Sequence, residues 1–205
     1  MTHSLALWLA LSAGVTPGPR TPRAAVDTAV FAGGCFWGVE GVFEHVQGVL
    51  SATAGYAGGT AASPSYEDVS SGTTGHAESV RVVYDPARVS YAQLLAVFFT
   101  VAHDPTELDR QGPDVGSNYR SIAFYRDSTQ RRAIETYIAD LGRRRVYPRP
   151  VVTQVLALGR FYEAEAYHQH YMEHHLDQPY IAYNDAPKLE RLKQVFPALY
   201  RDSWR

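Results

Sequence analysis

A single cysteine is the first candidate for chemistry in this chain. Cys35 is the only cysteine among 205 residues, and it follows Gly33 and Gly34. The apolar residues 28–32 predict a short strand that the two glycines end, and the apolar spacing over 36–46 predicts a helix. A cysteine at a helix start meets unpaired backbone N–H groups and the positive end of the helix dipole, which favour the thiolate. The position therefore predicts a nucleophile with a lowered pKa, and the alternative is an inert, buried side chain.

Histidines offer a second kind of chemistry. Four of them crowd the predicted helix 163–176, namely His168, His170, His174 and His175. Two lie four residues apart, which is the spacing of metal ligands on a helix, but no glutamate follows as in the zinc-protease pattern. A polar helix face is therefore the favoured interpretation. The triplet at 76–78 is similar to the His-x-Glu of zinc deaminases, but their Pro-Cys-x-x-Cys is absent, which excludes that class.

Length and composition indicate an ordinary globular protein. The hydrophobic fraction is 45%, the charged fraction is 20% and the net charge is −2, which together indicate one domain with a full core. The sequence pI of about 6.4 gives no electrostatic signature of nucleic-acid binding. With one cysteine, neither an internal disulfide nor a cysteine-based zinc site can form.

The first 25 residues are set apart from the domain by composition. Residues 5–15 form an uncharged apolar run, which prolines and a glycine follow over 17–22. The run is too short to span a bilayer but has the length of a signal-peptide core, although no Lys or Arg precedes it. Export is therefore favoured over a cytoplasmic location, with a disordered extension or a wrongly chosen start codon as the alternatives. Residues 26–205 are predicted to form a single catalytic domain.

The elements that must position these residues alternate along the domain. Strands are predicted at 28–32, 49–56, 78–84, 121–125 and 151–158, and helices at 36–46, 91–101, 128–144, 163–176 and 187–196. Ser90 and Ser128 are candidate helix caps, and two long loops cover 60–75 and 103–118. This order predicts an α+β fold, a two-layer sandwich with a ferredoxin-like split βαβ core.

Six short stretches in order give the chain a family resemblance. They are Gly34-Cys35-Phe36-Trp37-Gly38, Gly55-Tyr56-Ala57-Gly58-Gly59, Gly75-His76-Ala77-Glu78, Val101-Ala102-His103-Asp104-Pro105-Thr106, residues 112–121, and residues 161–165 with 167–169. Together they resemble the A-type peptide methionine sulfoxide reductases over roughly residues 27–200. The resemblance implies reduction of methionine (S)-sulfoxide, and the preference for that epimer is implied by the resemblance alone.

The chemistry of sulfoxide reduction explains the residue types. A sulfoxide is a poor electrophile until its oxygen is protonated or strongly hydrogen-bonded, so a thiol reductase needs a nucleophile, an acid and donors. Cys35 is the expected nucleophile. Glu78 can be the acid only if burial keeps it protonated near neutral pH. Tyr56 and Tyr119 fit the oxygen-binding role that the resemblance implies.

Other residues are expected to complete the site. Phe36 and Trp37 would form the apolar pocket for the S-methyl group, while Asp114 and His76 would support the network.

Two other functions stay open. One is a cysteine hydrolase or acyltransferase that uses His76 or His103 as base, and the other is a metal-binding module built on the helix histidines.

The partners follow from the absence of a second cysteine. Many members of the family that the chain resembles carry resolving cysteines near the C-terminus, but residues 178–205 contain none. Cys35 should therefore become a sulfenic acid, which an external reductant reduces, either a small thiol or a thioredoxin- or glutaredoxin-like protein. The expected substrates are oxidised proteins or free methionine sulfoxide. We expect a monomer that needs no cofactor or metal and binds neither nucleic acid nor membrane.

Overall fold

The computed structural model describes residues 26–204, so the signal peptide expected within residues 1–25 lies outside the described residues. The strands are β1 (Asp27–Ala32), β2 (Val49–Ala57), β3 (Ala77–Tyr84), β4 (Arg110–Gln111), β5 (Asp114–Val115), β6 (Ile122–Tyr125), β7 (Gln154–Ala157) and β8 (Tyr162–Glu163). The helices are α1 (Phe36–Glu44), α2 (Tyr66–Ser70), α3 (Tyr91–Val97), α4 (Ser128–Arg143), α5 (Tyr171–His174) and α6 (Ala186–Val195). None of the helices within 26–204 is long and apolar enough to cross a membrane.

Six of the strands form one mixed sheet in the order β7-β6-β1-β3-β2-β8. β3 lies between β1 and β2 and is antiparallel to both, so the β1–α1–β2 unit is a split βαβ. β6 adds antiparallel to β1, and β7 extends the sheet parallel to β6. The four central strands thus have the ferredoxin-like order, and the predicted α+β fold is confirmed. The remaining strands, β4 and β5, form a two-stranded hairpin.

The main core lies on the face of the sheet that the helices cover. Alternate residues of β1 point to opposite faces, as strand geometry requires. Phe31 stacks on Phe98 and Phe43 with ring centroids 4.6 and 5.4 Å apart, whereas Val30 belongs to a smaller apolar cluster on the other face. Every residue of α1 except Trp37 is buried. The helix that begins beside Cys35 is therefore enclosed on nearly all sides and is held in one position.

Of the two predicted helix caps, one is confirmed and one is wrong. Ser90 caps α3 as expected, in a reciprocal capping box with Gln93. At α4 the cap is Asp127, not Ser128, because the Asp127 carboxylate accepts the N–H groups of Thr129 and Gln130. A single carboxylate oxygen, Oδ1 of Asp127, accepts both N–H groups, so Asp127 occupies the capping position and Ser128 becomes the first residue of the helix.

The prediction of one long helix over 163–176 is wrong. The segment begins at the last residue of β8 and contains a 3-10 turn at Ala166–His168 and the short helix α5. His170, between the turn and α5, adopts a left-handed backbone with φ +54°. The side-chain amide of Gln169 takes the place of a strand partner. Its oxygen accepts the Ala54 N–H at 3.0 Å and its nitrogen donates to the Ala54 carbonyl at 3.1 Å. These long-range bonds to β2 override the helical pattern of the segment.

The C-terminal tail packs against the start of α1. A π-helical turn at Ile181–Asp185 leads into α6, and both contact α1. Gly38 makes the approach possible, because a Cβ there would lie 2.0 Å from Asp185 Oδ1 and 2.7 Å from Lys188 Nζ. The first turn of α1 therefore meets a charged pair from the far end of the chain.

Candidate active site

Cys35 is the N-cap residue of α1, as the glycine pair predicts. Gly34 has φ +91°, a left-handed conformation that other residues rarely adopt, and a Cβ there would lie 2.6 Å from Gln111 Cβ. Two hydrogen bonds to the Asp104 backbone hold the Gln111 side chain. Its Oε1 accepts the Asp104 N–H at 3.0 Å, and its Nε2 donates to the Asp104 carbonyl at 2.6 Å. The turn before Cys35 is thus closed over by the β4–β5 hairpin.

The thiol of Cys35 is not activated at rest. The side chain is only partly exposed, and burial raises its pKa well above the usual value, with Glu78 and Asp185 adding to the effect. A hydrogen bond from the Trp37 backbone and the charge of Lys188 act in the opposite direction but do not compensate. The predicted lowering of the thiol pKa by the helix start is therefore wrong, because desolvation outweighs the helix N–H groups.

Glu78 lies in β3 and is buried beside Cys35. Burial raises its pKa to about 8, opposed by the Phe36 N–H and increased further by Asp114 and Asp185. The Phe36 N–H donates to Oε2 at 3.0 Å, while Oε1 has no hydrogen-bond partner among residues 26–204. At neutral pH this carboxyl group is therefore protonated, as its expected role requires, and one of its oxygens is available to a ligand.

Tyrosine hydroxyls surround this carboxyl group. Tyr56 is fully buried and donates to Glu165 Oε2 at 2.8 Å, so in this state its proton is used within the protein. Tyr119 is half-buried; burial raises its pKa, and Glu78, Asp114 and Cys35 add to that effect. Tyr66 was missed by the sequence analysis, yet its pKa is raised by burial and then by Glu78, with a contribution from Cys35. Three neutral donors are thus close to the acid.

The two aromatic residues after Cys35 have different exposures. Phe36 is buried and packs against Tyr56 with centroids 5.9 Å apart. Trp37 is partly exposed, stacks on Tyr171 with centroids 3.8 Å apart and donates its indole N–H to His168 Nδ1 at 3.1 Å. Trp37 therefore presents a fixed apolar surface beside the sulfur, and Phe36 supports it from inside.

The supporting residues form contacts across the site. Asp114 in β5 accepts the hydroxyl of Tyr180, and its charge raises the pKa of Glu78. His76 accepts the Gly59 N–H at 3.1 Å through Nδ1, so its Nε2 carries the proton that the Ala61 carbonyl accepts at 2.9 Å. His76 thereby fixes the turn after β2.

Neither candidate base has a free ring nitrogen. His103 Nδ1 lies 3.0 Å from the Phe98 carbonyl, which can only accept, so Nε2 accepts from Ser121 at 2.7 Å. Burial lowers the pKa of His103 to about 4. Since both rings are engaged by partners other than Cys35, the geometry does not provide the thiol–imidazole pair of a cysteine hydrolase.

The histidines of segment 163–176 do not converge. His168 packs against Phe36 and Trp37, His170 Nδ1 lies 2.5 Å from Glu44 Oε1, and His175 stacks on Tyr171. Within the described part of the chain, no group of three or more His, Cys, Asp or Glu side chains converges as metal ligands would.

The tail supplies site residues that the sequence analysis did not assign. Tyr180, Asp185 and Lys188 all act on the Cys35 thiol or lie beside it. No local pattern in the sequence indicates their role, since their proximity to Cys35 depends on packing against Gly38. A cysteine beside a carboxylic acid that stays protonated at neutral pH, with His76 and His103 engaged elsewhere, has the chemistry of a thiol-dependent reductase.

Comparisons with known proteins identify the class more closely. The family model described as peptide methionine sulfoxide reductase matches residues 27–199. A relative from Mesorhizobium japonicum, peptide methionine sulfoxide reductase MsrA 2, is 52% identical over 86% of this chain and 90% of its own. Peptide methionine sulfoxide reductase MsrA from Thermus thermophilus is 46% identical over 85% of this chain and 98% of its own.

Solved structures agree with the sequence relatives. The reduced form of Mxr1 from Saccharomyces cerevisiae superposes with a TM-score of 0.69 at 30% identity, over 78% of this chain and 90% of its own. Methionine sulfoxide reductase A of Corynebacterium diphtheriae gives a TM-score of 0.65 at 32% identity, over 75% of this chain and 77% of its own. The chain therefore belongs to the peptide methionine sulfoxide reductase family, and it is a peptide-methionine (S)-S-oxide reductase of the A type.

Proposed function

We propose that Cys35 takes the oxygen of methionine (S)-sulfoxide and becomes a sulfenic acid, with Glu78 as the proton donor. The observation that carries this proposal is the buried Glu78 carboxyl group, whose pKa is raised to about 8 and whose Oε1 is unpartnered among residues 26–204. A protonated acid is needed because the sulfoxide sulfur becomes a good electrophile only when its oxygen is protonated or strongly hydrogen-bonded.

The raised thiol pKa is consistent with a proton-neutral reaction. As the Cys35 sulfur attacks the sulfoxide sulfur, Glu78 gives its proton to the oxygen, and the resulting carboxylate accepts the thiol proton. The oxygen then passes to Cys35 as the sulfur–sulfur bond breaks. Methionine leaves, two electrons pass from the cysteine sulfur to the substrate, and Glu78 is again protonated.

Substrate contacts follow from the walls of the site. Tyr119 and Tyr66 are proposed to donate hydrogen bonds to the sulfoxide oxygen, and Tyr56 joins them when its bond to Glu165 exchanges. Trp37 and Phe36 are proposed to hold the S-methyl group. Such donors stabilise the transition state more strongly in a partly buried site than in water.

Regeneration requires a thiol from outside the chain. Cys35 is the only cysteine in the sequence, so its sulfenic acid has no internal partner. We propose that the monomer is reduced by a small thiol or a thioredoxin- or glutaredoxin-like protein, and that its biological role is repair of oxidised proteins or recovery of free methionine.

Turnover of the two sulfoxide epimers tests the chemistry. With dithiothreitol as reductant, the S epimer should be converted and the R epimer should not. Cys35→Ser should reduce turnover to background while circular dichroism shows an intact fold, because serine is un-ionised at neutral pH and redox-inert. Activity of Cys35→Ser above background would assign the nucleophile elsewhere.

The mass of the intact protein tests the intermediate. After excess sulfoxide without reductant, the protein should gain one oxygen that a sulfenate-specific reagent traps, with one methionine released per chain. A disulfide-linked dimer as the main product would instead make a second subunit the resolving partner.

Export is a separate proposal that rests on the apolar run at residues 5–15. N-terminal sequencing of the protein from its host should show that the mature chain begins after the small residues near position 12 and no later than residue 25. An intact Met1 or Thr2 on protein recovered from the cytoplasm would contradict export.

A further inference from the structure

A cavity of about 360 Å³ is lined by Cys35 but not by the proposed acid. Its walls come from the β4–β5 hairpin, the turn that follows α3, and the C-terminal tail. We call it the tail groove and define it by Cys35, His103, Gln111, Tyr180, Lys188 and Arg191. None of Glu78, Tyr56, Tyr66 and Tyr119 lines it. Cys35 therefore borders a space that these proposed catalytic residues do not line.

Each carboxylate in the tail groove already has a donor. Asp104 accepts the N–H and hydroxyl of Thr106 at 2.8 and 2.7 Å. Asp114 accepts the Tyr180 hydroxyl, and Asp185 accepts Lys188 Nζ at 2.9 Å. Each carboxylate therefore has at least one hydrogen-bond donor, and only the charge of Asp185 is paired with a cation that lines the groove, while Asp185 Oδ2 is buried without a partner among residues 26–204.

The two cationic side chains of the tail groove have unused hydrogen-bond donors. Arg191 donates its Nε–H to the Thr100 carbonyl at 2.7 Å, and neither of its Nη atoms has a hydrogen-bond or ion-pair partner among residues 26–204. The side chain is exposed. Lys188 is 24% exposed and uses one of its three N–H bonds on Asp185. The unused hydrogen-bond donors of the tail groove are therefore cationic, and they fit a carboxylate.

The size of the tail groove selects a small molecule. Cavities of about 300–1,000 Å³ hold small ligands, whereas a protein partner needs a broad surface of about 800 Å². We propose that the tail groove receives the thiol that regenerates Cys35, and that this thiol is a small molecule carrying a carboxylate held by Arg191 and Lys188. This inference rests on the proposed sulfenic acid at Cys35.

The regenerating reaction balances with two thiols. The first thiol attacks the Cys35 sulfur, a sulfur–sulfur bond forms, and the sulfenic oxygen leaves as water with the two protons available. A second thiol then attacks the small-molecule sulfur of this mixed disulfide and releases Cys35 as a thiol. Two thiols are oxidised to one disulfide, and the sulfenic acid is reduced.

Three small thiols of similar size but different charge test the inference. The parent protein is first converted to its sulfenic acid with methionine S-sulfoxide, and the released methionine is quantified. Loss of the sulfenate is then timed with 3-mercaptopropionate, 2-mercaptoethanol or 2-mercaptoethylamine, compared at equal thiolate concentration. We expect the anionic thiol to react about tenfold faster than the neutral one, and the cationic thiol to react slowest.

Variants locate the preference. Arg191→Met and Lys188→Met should each reduce the ratio of the anionic to the neutral rate toward one, and Arg191→Lys should keep part of it. Lys193→Met is the matched control, because Lys193 is on the same helix but does not line the tail groove, so its ratio should equal that of the parent. Using a ratio within each variant removes any general effect of the substitution.

The possible failures are distinguishable. If the parent releases no methionine in the first step, the proposed function fails. If methionine is released but the three thiols react equally, or if Arg191→Met and Lys193→Met give the same ratio, the tail-groove inference is wrong while the reductase mechanism stands. If Arg191→Met slows loss of the sulfenate only when a thioredoxin-like protein is the reductant, the tail-groove inference is also wrong, and the reductant is a protein.

Discussion

Three buried carboxyl groups lie in α1 or contact it, and only one of them has the geometry of an acid catalyst. Burial raises the pKa of Glu78, Glu40 and Glu44 to about 8 in each case. Glu78 accepts one backbone N–H and leaves Oε1 unpartnered among residues 26–204, beside the only cysteine. Glu40 instead uses both oxygens, accepting the N–H groups of Ala54 and His170 at 3.1 and 3.0 Å.

The difference shows that a raised pKa alone does not mark a functional residue. Glu40 joins α1 to β2 and to the segment before α5, so its burial serves the packing of the helix that carries Cys35. Glu44 pairs with His170 through Oε1, while its Oε2 is buried without a partner among residues 26–204. Geometry, namely which oxygen is free and what lies next to it, separates the proposed acid from the structural pair.

The strongest test of this comparison is Glu78→Gln. The amide oxygen can still accept the Phe36 N–H, so the fold should be retained, but no proton can be transferred. Turnover of the S epimer with dithiothreitol should fall by about 10²–10⁴-fold. Parent-like turnover of Glu78→Gln would place the acid elsewhere and remove the distinction.

Glu40→Gln should have the reverse effect. A glutamine has one acceptor oxygen for two backbone N–H groups, so one of them faces an NH₂ group. The free energy of unfolding should fall by about 1–3 kcal/mol, measured by urea denaturation at pH 7, while turnover changes by less than about tenfold. A turnover loss equal to that of Glu78→Gln would break the comparison, because both carboxyl groups would then serve catalysis.

The pH dependence of the first step sharpens the role of Glu78. Since its pKa is about 8, the carboxyl group loses its proton above that pH. Methionine release in a single turnover should be level from about pH 6.5 to 8 and fall by up to about tenfold per unit above it. The much slower Glu78→Gln variant should lack this decline. A rate that rises through pH 8 in the parent would show that thiol ionisation limits the step instead.

The smallest expected effect is on stability. Glu40 and Glu44 hold their protons to about pH 8 in the folded protein, whereas in the unfolded chain they ionise near about pH 4.3. From about pH 6.5 to 8 the folded state therefore binds more protons, and the free energy of unfolding falls as pH rises, by up to about 1.4 kcal/mol per unit for each group. Below that window His103, with a pKa of about 4, has the opposite effect.

A matched pair of variants tests the slope. Glu44→Gln removes one buried carboxyl group and should flatten the decline in thermal stability between pH 6.5 and 8. Glu135→Gln alters an exposed carboxyl group on α4 and should leave the slope as in the parent. Equal slopes in parent and Glu44→Gln would mean that Glu44 is ionised in the folded protein.

Local signals predicted the turn at Cys35 and the order of the central strands well. Gly33 and Gly34 mark the start of α1, and the alternating pattern around Glu78 marks β3. The segment 163–176 was mispredicted because Gln169 bonds to Ala54, more than a hundred residues away, a partner that no helical periodicity reveals. The contribution of Asp185 was missed for the same reason, since it depends on the space that Gly38 leaves.

Because the thiol at the start of α1 is the only one in the sequence, a thiol titration can count chains and accessible Cys35 side chains. Every thiol titrated in an unfolded sample corresponds to one chain, and every thiol that reacts in the folded sample corresponds to one accessible centre. The quotient of the two measures the fraction of chains whose Cys35 is accessible under folding conditions. A thiol-directed dye or spin label would likewise attach at a single position, so its signal reports only on the environment of that sulfur.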